Sequence, residues 1–226
     1  MHFEQGRDYR RATRYLQQAA ENAQRKNAYQ EALSLATRGL QLLPDVSNTP
    51  ERTQQELRLQ LALGGALVAI KGYNAPEVGK TYNHALTLCQ QIGETPRLSP
   101  VLGGLAVFHI TRGEIRIGRE LCENLLRIAQ RTQSPAFLQP VHYGLGEVLF
   151  YFGELSAAQA HLDQAIALYE PQIRRAPFQD TGVACLSAAA LTLWLRGYPD
   201  QALQRVQASL TLAEELLHPF SLNQTT

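Results

Sequence analysis

The chain has 226 residues with 21 basic and 20 acidic side chains, a formal net charge of +1, which excludes a strongly electropositive nucleic-acid binder or a polybasic membrane arm as the default reading. Its three cysteines, Cys89, Cys122 and Cys185, form no CxxC, which argues against a secreted disulfide framework and a zinc ribbon. Leu and Ala exceed a quarter of the residues while Val, Ile, Thr and aromatics are modest, so composition favours helices.

In chain order, residues 1–14 are polar and Arg-bearing and lack the apolar stretch of a secretory signal. Arg7, Arg10, Arg11, Arg14, Arg25 and Lys26 make this the most basic part, but Glu4, Asp8 and Glu21 interleave with them. Exposed i,i+4 pairing accounts for that pattern, and no nucleic-acid partner is expected. The longest apolar run, Leu61–Ile70, is interrupted by Gly64 and Gly65. It is about half the ~20 residues of a membrane span, so no membrane partner and a cytoplasmic location are expected.

Segments with apolar residues at i, i+3, i+4 and i+7, the helical period, recur in pairs along the whole chain. Each pair is divided by a short mark: Asn27-Ala28-Tyr29, Lys71-Gly72-Tyr73, Arg112-Gly113-Glu114, Phe152-Gly153-Glu154 and Arg196-Gly197-Tyr198. Aligned on Asn27, Gly72, Gly113, Gly153 and Gly197, the spacings are 45, 41, 40 and 44 residues. The clearest copy has Leu145, Gly146 and Leu149 before the mark and Ala158, Leu162 and Ala165 after it. Small residues at such places let two helices approach closely, and glycine supplies the positive φ of a tight turn. Five units are predicted, at about 13–46, 57–92, 99–131, 139–171 and 183–216, in one repeat domain over 1–226. Thr49-Pro50-Glu51, Thr95-Pro96-Arg97 and Ser134-Pro135-Ala136 each offer a hydroxyl cap followed by proline, a helix start. Pro171–Asp180 is expected to be an exposed loop.

Leu145-Gly146, Leu149, Gly153, Ala158 and Ala165 resemble the tetratricopeptide (TPR) pattern. The helix A tryptophan of that pattern is missing, and the period exceeds its ~34 residues. The resemblance implies an all-α, right-handed superhelical solenoid of about five antiparallel helix pairs. The longer spacing, with Lys71-Gly72-Tyr73-Asn74-Ala75-Pro76-Glu77-Val78 and Leu217-His218-Pro219-Phe220-Ser221-Leu222, is similar to something narrower. It resembles the C-terminal TPR arm of bacterial signal-transduction ATPases, including adenylate/guanylate cyclase fusions. That likeness implies a regulatory, partner-sensing arm in bacterial signal transduction. It does not imply that this chain holds the ATPase or the cyclase.

No motif argues for catalysis. Asn74 to Thr81 ends in Gly-Lys-Thr after an apolar run, but Asn74 replaces the first glycine of a phosphate loop and Glu77 would face the anion. Pro76 and Glu77 instead suit the start of a helix. The six histidines show no HExxH. His109 and His142 are expected at inward positions of adjacent units, read as packed imidazoles, with a metal pair as the sharper alternative. Cys89 and Cys122 are expected as small apolar core residues. No catalytic residue, cofactor or metal is assigned, and the chain is read as a non-enzyme.

Concave faces of helix-pair stacks are the usual binding faces. In the register of the repeat, the groove is expected to present Val107, Ile110 and Thr111 from unit three. Unit four contributes Tyr143, Glu147, Phe150 and Tyr151, and unit five Ser187, Leu191 and Trp194. Unit one offers the polar Arg14, Gln17, Glu21, Gln24 and Arg25. Phe150 and Trp194 serve equally well as packing residues between repeats. The expected occupant is an apolar or amphipathic segment of a protein or peptide partner; a TPR arm sensing a small apolar ligand in the same groove is the alternative. The last pair should leave apolar surface uncovered, which predicts end-to-end homo-oligomers or a longer parent protein.

Overall fold

The computed structural model describes residues 8–93, 97–132, 135–170 and 180–216. Among them the elements are α1 (Tyr9–Arg25), α2 (Tyr29–Leu42), α3 (Pro50–Lys71), α4 (Pro76–Ile92) and α5 (Leu98–Thr111). There follow α6 (Ile115–Thr132), α7 (Pro135–Tyr151), α8 (Leu155–Ala167), α9 (Thr181–Leu195) and α10 (Pro199–Leu216), and one 3-10 turn at Leu43–Asp45. No strand occurs among the described residues. The chain forms two compact units, Met1–Arg112 and Gly113–Thr226.

The aligned marks share a positive φ. Asn27 has φ 59°, Gly72 86°, Gly113 77°, Gly153 77° and Gly197 83°. A left-handed conformation costs an L-residue roughly 1–2 kcal/mol, which glycine escapes and asparagine best tolerates. Three of these turns close identically. The N–H of Glu154 donates to Leu149 O and that of Gly153 to Phe150 O; Tyr198 and Gly197 repeat this onto Leu193 and Trp194, and Ala28 and Asn27 onto Ala23 and Gln24. That double bond is the Schellman closure, which satisfies carbonyls left open at a helix end.

Small residues set the helix spacing in the first unit. Ala20, Ala36 and Ala62 form one buried layer across α1, α2 and α3, and Ala23, Ala32 and Ala66 form the next. Gln24 ties the layers together by donating from Nε2 to Ala62 O at 2.8 Å. Further along, the Tyr82 ring of α4 is buried so closely on α5 that a Cβ at Gly104 would lie 2.4 Å from it. In the second unit α7 meets α8 across Gly146, where a Cβ would lie 2.6 Å from Leu162.

The helix starts depart in part from expectation. Thr49 accepts from the Arg52 N–H and Pro50 opens α3. α5, however, begins at Leu98 with Arg97 as its cap and no side-chain bond; Thr95 and Pro96 lie outside the described residues. α7 does start at Pro135, while Ser134 lies outside them. Of the expected loop Pro171–Asp180, only Asp180 is described, and it is not exposed. It is buried, accepts from the N–H groups of Gly182 at 2.9 Å and Val183 at 3.2 Å, and takes the Tyr169 hydroxyl at 3.0 Å. Side-chain capping of α9 explains the burial, because a carboxylate facing free helix N–H groups is satisfied without water.

Candidate functional site

The second unit carries an open cleft of about 350 Å³ between α7 and α9. Tyr143, Glu147, Phe150 and Tyr151 recur at i, i+4, i+7 and i+8 along α7 and so share one face. Ala184, Ser187, Ala188 and Leu191, at i, i+3, i+4 and i+7, share one face of α9, and Leu162 of α8 completes the lining. The wall from α7 is aromatic. Phe150 and Tyr151 meet edge to face, with ring centroids 5.6 Å apart and planes at 81°. Apart from Leu191, the wall from α9 is made of small side chains, which leave the space. Tyr151 is 59% exposed and Leu191 50%, so the cleft opens to solvent at its rim.

Glu147 supplies the charge of this lining. The Tyr143 hydroxyl beside its carboxylate favours the ionised form, but burial outweighs it and pushes the Glu147 carboxyl above its ordinary value. Cys122 and Cys185 lie near enough to feel that charge. Burial first, and Glu147 second, push the Cys122 thiol up to about 12 and the Cys185 thiol upward as well. Both therefore remain neutral thiols, buried and free of disulfides, as does Cys89, whose thiol burial also pushes up.

A second cleft of about 390 Å³ lies between α9 and α10, lined by Ser187, Ala190, Leu191, Trp194, Pro199, Ala202, Leu203, Val206 and Ser209. Ser209 donates to Val183 O at 3.2 Å, so the Ser187 hydroxyl, 3.0 Å away, must be the donor between the two serines. Trp194 is 63% exposed and belongs to this second cleft. The expected set of ten thus distributes over three places. Six residues line the first cleft, Ser187 and Leu191 also join Trp194 in the second, and Val107, Ile110 and Thr111 sit on α5 of the other compact unit. There Val107 and Ile110 are half-buried, and the Thr111 hydroxyl turns back onto Val107 O and Phe108 O at 2.9 and 3.0 Å.

Other expected features are engaged in packing. Gln17, expected in a polar groove, is buried and donates to Glu21 at 2.9 Å, and Gln24 is held by Ala62. Gly79, Lys80 and Thr81 lie inside α4, not in a loop; a Cβ on Gly79 would come 2.4 Å from the Phe108 ring, and Glu77 is paired with Lys71. The ring partner of His142 is His161, with Nδ1 atoms 2.9 Å apart; His109 stands edge-on to Phe108 at 5.2 Å. Among the described residues no three His, Cys, Asp or Glu side chains converge as a metal site would require, and no helix is long and apolar enough to cross a membrane.

No family model matches the sequence, and no curated protein matches it. Solved structures do. A Podosopora anserina protein of nearly identical TPR-like repeats superposes with a TM-score of 0.65 at 18% identity, over 90% of this chain and 95% of that one. A Rap protein complexed with Competence and Sporulation Factor gives 0.75 at 12% identity, over 91% of this chain and 55% of that one. NprR in complex with its cognate peptide NprX gives 0.72 at 12% identity, over 98% of this chain and 62% of that one.

Proposed function

We propose that this chain, an all-α array of TPR-like helix pairs, is a non-enzymatic interaction module that holds a peptide or a partner's segment in the cleft between α7 and α9. The observation that carries this reading is the aromatic wall of Tyr143, Phe150 and Tyr151 facing the small residues of α9. Large rigid rings beside an open slot are the usual anchors of binding energy. The peptide complexes of structural neighbours such as NprR support the same use of the fold.

A small apolar ligand is the second reading, favoured by the volume of the cleft, which is at the lower end of the range of about 300–1,000 Å³ for small-molecule sites. Such sites enclose most of their ligand. The exposed rim at Tyr151 and Leu191 suits a segment that enters and leaves instead. The wider setting we propose is a regulatory arm in a bacterial signalling ATPase system, on the resemblance carried by Lys71–Val78 and the spacing of the repeat.

The test is a random-peptide display selection on the whole chain, followed by affinity measurements on the selected peptides. Tyr151→Ser with Leu191→Ser should weaken them by roughly 30-fold, the size of a lost interface anchor. Exposed changes on α8, Ala160→Ser with Gln164→Glu, should leave them within twofold. Binding that survives the cleft changes and fails with the α8 changes would overturn the assignment of the cleft.

A further inference from the structure

We infer that the cleft between α7 and α9 accepts a cationic side chain, a lysine or arginine of the bound peptide, with Glu147 as its counter-ion. This rests on the reading of the cleft as a peptide site and specifies what such a peptide carries.

Glu147 is one helical turn from Tyr143 and one from Phe150 and Tyr151, so its carboxylate stands among three rings. A carboxylate offers about four acceptor positions. Here the Tyr143 hydroxyl is the group that favours its ionised form, and no Lys, Arg or His of the described residues pairs with it. Two guanidinium groups of the same compact unit are engaged elsewhere. Arg119 is bound to Glu123 and Glu154, each at 2.8 Å, and Arg205 to Asp163 at 3.0 Å.

A half-buried carboxylate without a cation carries part of the cost of leaving water, and supplying the cation removes that cost. The upward push that burial exerts on this carboxyl is the same cost seen as proton affinity. The rest of the lining fits the remainder of a basic side chain. Ring faces attract a cation, and apolar walls receive the methylene stem of lysine or arginine. Ala184 and Ala188 leave room for it to pass. The thiols of Cys122 and Cys185 stay protonated and contribute no competing charge. An acidic segment or a free C-terminal carboxylate would meet Glu147 with like charge and is disfavoured.

The experiment is selection of a random heptapeptide display library on the whole chain and on Glu147→Gln, whose helical content is checked by circular dichroism. Wild-type protein should enrich one Lys or Arg position among apolar neighbours, and Glu147→Gln should lose that enrichment. Replacing the selected basic residue by norleucine should weaken wild-type binding about tenfold, the size of a hydrogen bond to a charged group. The same replacement should change binding to Glu147→Gln by less than twofold. The norleucine comparison on wild type needs no variant and decides the matter even if Glu147→Gln folds poorly. Selected peptides that bind equally well with norleucine would overturn the role of Glu147 and leave the cleft a peptide site. No selection by wild type at all would overturn both readings.

Discussion

The rings of His142 and His161 stand with centroids 5.1 Å apart, and one Nδ1 must lend its proton to the other across 2.9 Å. Two imidazolium rings cannot keep that bond. Burial lowers the proton affinity of both, and for His142 the neighbouring ring lowers it further. Their folded values therefore lie below the unfolded value of about 6.5, and the unfolded chain binds more protons between the two. The contribution to stability is complete above about pH 6.5 and is lost as pH falls through the folded values. Urea unfolding at pH 7.5 and 5.5 should show wild type losing more stability on acidification than His161→Gln. Equal losses would show that the pair is not responsible.

At the scale of helices, the turn glycines explain why a hairpin of two helices recurs. Gly153→Ala forces an L-residue to φ 77° and should cost about 1–2 kcal/mol in urea unfolding, with the Schellman bonds otherwise kept. This part of the fold was legible in the sequence because backbone conformation at one residue is a property of that residue's own side chain. The α7 wall of the cleft was legible for a related reason: Tyr143, Glu147, Phe150 and Tyr151 are set by one helical period. The opposite wall and the floor were not. Ala184, Ala188 and Leu162 carry no chemistry of their own, and only the packing of α7, α8 and α9 brings them there. The capping role of Asp180 was not legible because it follows a polar, proline-bearing stretch whose sequence has the composition of a loop. Gln17, buried against expectation, was not legible, because a polar side chain at a helix-facing place is as well satisfied by a neighbouring acceptor as by a groove.

At the largest scale, the last described helix pair exposes a cluster of large apolar side chains. Trp194 at 63%, Leu203 at 58% and Leu191 at 50% exposure surround the second cleft, with Val206 beside them. We propose that this patch drives self-association, as contiguous exposed apolar patches mark interaction sites. Light scattering on the whole chain should show mass rising with concentration, and Leu203→Glu should hold it at the monomer mass; a wild-type monomer at high concentration would exclude association through this face. The same surface decides what the protein reports about itself. Its one tryptophan stands largely in water while the chain is folded, so unfolding changes the surroundings of the indole little. Emission from Trp194 should stay nearly silent through a denaturant titration that erases the helical signal, and should shift to shorter wavelength when something covers α9 and α10. The chain thus carries a built-in optical label for contact on that face, and unfolding is followed better by its nine tyrosines and its helices.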